Sequence, residues 1–157
     1  MKIRFIAVGK TDNNFLQQLI STYQNRLKHY IGFEFVVIPD IKNTKNLSES
    51  QQKEAEGKTI LKYILPSDQL LLFDEKGKTY NSVEFSKLLQ KKMLSGCKQL
   101  VFVIGGPYGF SEAVYKRANG KIALSAMTFS HQMVRLFAVE QLYRAFTIIK
   151  KEPYHHK

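Results

Sequence analysis

With 157 residues, 44% of them apolar, the chain is of ordinary size for one buried core, and a single domain over residues 1–157 is expected. No run approaches the ~20 apolar residues of a membrane span, the apolar start at Ile3 to Val8 is too short for a secretory leader and lacks a cleavage site, and the single Cys97 excludes an internal disulfide, so a cytoplasmic protein is expected. Lys and Arg outnumber the acidic residues by 24 to 13, leaving +11, a balance that favours a polyanionic partner, nucleic acid first, through phosphate contacts and counterion release.

Lys2 to Val8 reads as a central strand, Asn14 to Tyr30 as an amphipathic helix and Phe33 to Ile38 as a second strand closed by Pro39-Asp40, a βαβ opening. Residues 41–47, rich in Lys and Asn, form a polar loop; Ser48 then caps a helix whose Ile60, Leu61 and Ile64 pack late in its course. Leu70 to Phe73 make a short buried strand, and Asp74-Glu75-Lys76-Gly77-Lys78 a charged turn. Ser82, Glu84 and Phe85 open the next helix, which ends near Ser95-Gly96. A strand over 100–104, a short helix around 111–118, a strand over Ile122 to Leu124, a loop and a long helix from about 131 to 149 complete the chain. Strands alternate with helices throughout, the pattern of an α/β fold with a mostly parallel sheet and helices on both faces.

The segment Val101 to Phe110 nominates a site. An apolar strand that runs into Gly105-Gly106-Pro107-Tyr108-Gly109 presents bare main chain at a strand's carboxyl end, where open α/β sheets bind ligands. The same cluster also serves as a tight strand-to-helix connection, with Ser111 as the cap of the next helix. No Gly-Lys-Ser/Thr follows, so it is not a triphosphate loop. Cys97, His131, His155 and His156 are too scattered for a zinc spacing, and no metal is expected.

In the last helix, apolar side chains cover most of the circumference, more than the ~100° stripe of a surface helix. One side meets the sheet, and the other is expected to meet a second subunit, most simply in a two-fold homodimer, with another helix of the same chain as the alternative. Its polar residues fall into two groups, His131 with Arg135 on one face and Glu140 with Arg144 on nearly the opposite one. Glu140 and Arg144 are spaced for an ion pair. Either arginine is suited to phosphate, and His131 to titration near neutrality.

Several motifs together resemble one family: Phe73-Asp74 with Gly77-Lys78, Val103 to Pro107 with Gly109, Leu124-Ser125-Ala126-Met127-Thr128-Phe129-Ser130-His131, Glu140-Gln141 with Tyr143-Arg144-Ala145, and Pro153-Tyr154-His155. Ala7 to Lys10, Ile38 to Asp40 and Lys53-Glu54-x-Glu56-Gly57 extend the likeness over essentially the full length. The family is that of the bacterial 23S rRNA pseudouridine N3-methyltransferases, also called methyltransferase H, of the SPOUT superfamily. The resemblance implies a homodimer, a C-terminal trefoil knot of the SPOUT α/β type, and S-adenosylmethionine bent among the knot loops. General topology rules alone would have given an unknotted, doubly wound sheet.

By the same resemblance, Phe73, Gly105, Gly106 and the loop Leu124, Ser125, Ala126, Met127, Thr128 and Phe129 hold the cofactor, largely through backbone groups. The implied substrate is a pseudouridine in a stem-loop of 23S rRNA, met on the assembled ribosome. Tyr154 and His155, in the basic extension Lys150 to Lys157, are implied to cover the active site. His155 is the first candidate for removing the N3 proton or holding the base, with Arg144 or Arg135 positioning phosphate or ring. His131, Arg135, Lys150 and Lys151 are the expected RNA contacts. Two departures from the family pattern stand out: Ser130 where relatives usually carry proline, and His156 where Lys or Arg commonly follows the Tyr-His pair. Two rival readings keep another RNA acceptor, or a non-catalytic basic factor that binds ribosomes.

Overall fold

Uninterrupted apolar runs such as Leu70 to Phe73 and Leu100 to Ile104 are buried on both faces, as central strands of a parallel sheet must be. The computed structural model describes residues 1–156. Its elements are β1 (Lys2–Val8), α1 (Asn14–Leu27), β2 (Gly32–Ile38), α2 (Glu49–Lys62), β3 (Gln69–Thr79), α3 (Ser82–Leu94), β4 (Gln99–Ile104), α4 (Glu112–Arg117), β5 (Gly120–Ala123) and α5 (His131–Ile149). The strands form one sheet in the order β2-β1-β4-β3-β5, and every pairing is parallel.

The pleat of the strands divides the apolar side chains between two cores. Ile3, Phe5, Leu71, Phe73, Leu100 and Phe102 face α1, α3 and α5. Ile6, Val8, Leu70, Leu72, Val101 and Val103 face α2 and α4. Helices thus cover both faces, as the alternation of elements predicts.

Local chemistry sets the boundaries. The first helix stops at Leu27 rather than Tyr30, because the amides of His29 and Tyr30 turn to the carbonyls of Arg26 and Leu27 in a tighter turn. Ser48 and Gln51 make a reciprocal capping box. The third helix opens at Ser82, as expected, and Asn81 caps it: its side chain accepts the Glu84 amide at 2.8 Å, and Glu84 returns a carboxylate oxygen to the Asn81 amide at 3.0 Å. The polar loop after β2 holds a single 3-10 turn at Thr44–Asn46.

The charged turn expected at residues 74–78 is a larger correction, since β3 continues through it to Thr79. Ile122 of β5 is in register with both Phe73 and Lys78, so the intervening residues loop out and the strand rejoins its neighbour. Asp74 accepts the Lys76 amide at 2.8 Å within that loop. Gly77 lies against β5, where a Cβ would sit 2.5 Å from the Ile122 carbonyl carbon and 2.7 Å from the Ala123 nitrogen. Composition indicated a turn; close approach of two backbones decided otherwise.

α5 packs between α1 and α3 of its own chain, burying Ala138, Val139, Leu142, Ala145 and Phe146. Helices of the same chain therefore cover its flanks, which is the alternative to the subunit contact expected from the sequence. Large apolar side chains nevertheless remain in solvent along this layer, Phe15 and Leu19 on α1 and Phe137 on α5.

Candidate active site

The carboxyl ends of β3, β4 and β5 open onto a cleft of about 740 Å³, within the range of small-molecule sites. Phe73, Gly105 and Gly106 line it, as do Leu124, Ser125, Met127, Thr128 and Phe129. The structure thus brings together almost all of the expected cofactor residues from three separate segments. Ala126 belongs to the same loop without being part of the lining. His131 and Val134, on the first turn of α5, close one side, and Ser130 caps that helix by accepting the Met133 amide at 3.2 Å. Serine in place of proline therefore supplies the cap itself.

The walls combine apolar side chains, bare peptide and carboxylates. At Gly106 the Cβ direction points to Glu56, whose oxygens would lie 2.6 and 2.7 Å away, so a side chain there would have to displace that carboxyl. A Cβ on Gly105 would press on the Phe110 ring at 3.0 Å. Glu49, Asp74 and Glu75 are also in the lining, and the Tyr115 hydroxyl donates to Asp74. Burial and that carboxylate together push the Tyr115 hydroxyl up to about 12, which keeps it a donor at neutral pH. Asp74 and Tyr115 were not singled out as site residues from the sequence; adjacency of Asp74 to Phe73 was the one available signal.

These features fit S-adenosylmethionine. Peptide N–H and C=O groups can read its adenine and amino-acid ends, the apolar walls accept its rings and chain, and the acidic rim suits a cationic sulfonium. Among the described residues no group of three or more His, Cys, Asp or Glu side chains is placed to hold a metal ion. No helix is long and apolar enough to cross a membrane.

A second cluster forms at the far end of α5. Arg144 Nη2 donates to Glu140 Oε1 at 2.6 Å and Arg144 Nε at 3.1 Å, while the Tyr154 hydroxyl donates to the same oxygen at 3.0 Å. The Arg144 guanidinium lies 4.7 Å from the centre of the Tyr154 ring, and His155 Nδ1 is 3.5 Å from Arg144 Nη1. Tyr154 stacks edge-on against Tyr143 at 4.7 Å, with the Tyr23 hydroxyl 3.4 Å from its own. Glu140 holds the Arg144 guanidinium above its ordinary value, and burial, with Tyr23 and Glu140, raises the Tyr154 hydroxyl. The tail expected over an active site is therefore a built structure. It stands nearly three helical turns beyond Val134, about 15 Å along α5 at 1.5 Å per residue.

The remaining expected RNA contacts divide. Lys150 and Lys151 are exposed beside this cluster, His156 is exposed, and Lys157 lies outside the described residues. Arg135 is a correction. It is fully buried, at 0% exposure, and its guanidinium donates to the carbonyls of Val8 at 2.6 Å and Gly9 at 2.7 Å and to Thr11 Oγ1 at 3.1 Å. A side chain committed to the end of β1 cannot reach RNA phosphate.

Residues 1–155 match the family profile described as "Predicted SPOUT methyltransferase". The chain is 66% identical over 157 residues to "Ribosomal RNA large subunit methyltransferase H" of Flavobacterium johnsoniae, with both chains covered completely. It is 67% identical to the protein of that name from Flavobacterium psychrophilum and 62% to that from Parabacteroides distasonis, again over the full length of both. Among solved structures, a probable methyltransferase from Bordetella pertussis Tohama I superposes with a TM-score of 0.58 at 12% identity, covering 92% of this chain and 94% of that one. A second match, a probable methylase family protein from Haemophilus influenzae, gives 0.52 at 11% identity, covering 99% and 70%. At such identities the two structures speak to fold alone. Full-length identity above 60% speaks to descent, and with the profile match it settles that this chain belongs to the SPOUT methyltransferase family.

Proposed function

We propose that the protein transfers a methyl group from S-adenosylmethionine to N3 of a pseudouridine in a stem-loop of 23S rRNA, on the assembled ribosome in the bacterial cytoplasm. The observation that carries this reading is the full-length identity to proteins named ribosomal RNA large subunit methyltransferase H. When bound, S-adenosylmethionine supplies an electrophilic methyl carbon on a sulfonium. The residues of the chain align the acceptor with it and manage one proton, as in-line displacement requires. Phe73, the Gly105–Gly106 peptides and the 124–129 loop hold the donor in the cleft. His155 accepts the N3 proton or holds the base, and Arg144, fixed by Glu140, orients ring or phosphate.

The reading requires a homodimer. Within one chain the cluster of Arg144, Tyr154 and His155 stands about 15 Å down α5 from the cleft, too far to touch a base being methylated there. In a two-fold pair, the tail of one protomer lies over the cleft of its partner. Exposed Phe15, Leu19 and Phe137 provide apolar surface for such a contact. The trefoil knot belongs to the same reading and rests on membership of the SPOUT methyltransferase family.

Purified protein, labelled S-adenosylmethionine and either ribosomes or free 23S rRNA test this directly. Label in N3-methylpseudouridine, greater on ribosomes, is the expected result. Label in another nucleoside would move the reading to a different acceptor, and a folded protein that binds no donor in calorimetry would leave only a ribosome-binding factor.

A further inference from the structure

We infer that Glu56 is a positioning residue for the methyl donor: its buried carboxyl braces the Gly106 peptide from behind and so fixes the wall of the cleft. The inference rests on the cleft's binding S-adenosylmethionine, the reading given above.

Glu56 belongs to α2, on the opposite side of the sheet from α5, and does not line the cleft. It is nevertheless 4% exposed, and an ionisable side chain is rarely buried so deeply without a partner. Among the described residues no cation pairs with it. Gln52, one turn earlier on α2, has Nε2 at 3.5 Å from Oε1, a long contact that does not satisfy a carboxylate by itself. The carboxyl also fills the Cβ direction of Gly106; burial above all, and then the charge of Asp40, raise it above the ordinary carboxylate value, while Gln52 and the Gly106 backbone act in the other direction.

The adjoining glycine shows that α2 is fitted to this loop at both ends. A Cβ on Gly57 would lie 2.2 Å from Ser111 Oγ and 3.3 Å from Val114. Gly57 thus lets α2 approach the first turn of α4, while Glu56 meets Gly106 at the end of β4. The loop 105–111 is held between these two points, and its cleft-facing peptides have little freedom left. A donor read by main-chain groups needs those groups fixed before it arrives, because ordering them on binding weakens affinity.

The arrangement also couples position 106 to Glu56. The three atoms nearest a Cβ there all belong to the Glu56 carboxyl, at 2.6, 2.7 and 3.0 Å. A side chain at 106 would push that carboxyl out of its place, so the two positions are matched to each other.

Calorimetry with S-adenosylmethionine and steady-state methylation of ribosomes test the assignment on the full-length protein. Glu56→Ala should weaken donor binding about tenfold, because the loop peptides it leaves unsupported must be ordered when the donor binds. It should raise KM for the donor while kcat at saturation changes less than about threefold. Glu56→Gln keeps shape and an acceptor oxygen and should recover most of the affinity. Gly106→Ala should weaken binding in the wild-type background and lose most of that effect alongside Glu56→Ala, a coupling that a general loss of stability would not produce. Unchanged donor affinity in Glu56→Ala, failure of Glu56→Gln to recover it, or additive effects of the two alanines would each overturn the inference. Wild-type protein that binds no donor would instead overturn the reading beneath it.

Discussion

At the residue scale, Arg135 and Arg144 show how one helix assigns opposite tasks to the same side chain. Arg144 is partly exposed, paired with Glu140 and stacked on Tyr154, so its donors are set at the edge of a surface cluster. Arg135 is buried, and burial lowers its guanidinium below the ordinary value although Asp12 and Asp40 act in the other direction. Its Nε has no partner, while its other nitrogens join α5 to the carbonyls at the end of β1. Arg135→Ala should therefore destabilise the fold by about 3 kcal/mol, because Val8 and Gly9 keep buried carbonyls without donors, and urea unfolding would measure it. Tyr154→Phe and His155→Ala should reduce methylation by about tenfold or more with donor affinity unchanged within about twofold, since neither residue lines the cleft. Loss of donor binding in either variant would place the tail at the donor rather than at the base. Sequence pattern placed both arginines on the correct helix. It could not tell which was buried, because α5 is apolar around most of its circumference.

At the element scale, the informative segment is the crossing of β3 and β5. Charged residues 74–78 read as a turn; residues 74–77 do loop out, but Lys78 and Thr79 rejoin the far edge of the sheet and extend the strand. Gly77→Ala would force its methyl into the β5 backbone, and backbone, unlike a flexible side chain, cannot move aside. A destabilisation of about 2 kcal/mol, within the usual range for overpacking, with weaker donor binding through displacement of 122–125, is expected from denaturation and calorimetry on one sample. The cofactor loop itself is lightly anchored. Ser125 Oγ accepts the Met127 amide at 3.0 Å, and Met127 is 76% exposed, so the loop depends on its neighbours for shape. The caps, by contrast, were largely legible: Ser48, Ser111 and Ser130 each serve the helix that follows, and only Asn81, the cap of the third helix, was not named.

At the scale of the whole molecule, +11 of formal charge on 157 residues predicts salt-sensitive association with ribosomes. Neutralising about four phosphates would lower affinity about a hundredfold between about 50 and about 200 mM salt, and co-sedimentation across that range would reveal it. A flat profile would separate charge from recognition. The proposed homodimer makes a sharper prediction: mixing a Gly106→Ala protomer, with an impaired donor site, and a His155→Ala protomer, with an impaired tail, should restore activity in mixed dimers that have one intact composite site. Additive inactivity would mean that each chain works alone. By itself the sequence determined the alternation of strands and helices, the glycine turn, the capping serines and the family, because these follow from periodicity and from residue types that serve one local purpose. Only the tertiary structure decided that Arg135 is internal, that Asp74 to Lys78 continue a strand, and that Glu56 stands behind Gly106. Those facts depend on which distant backbone approaches a residue, and a parallel sheet joins segments whose separation along the chain leaves no periodic trace.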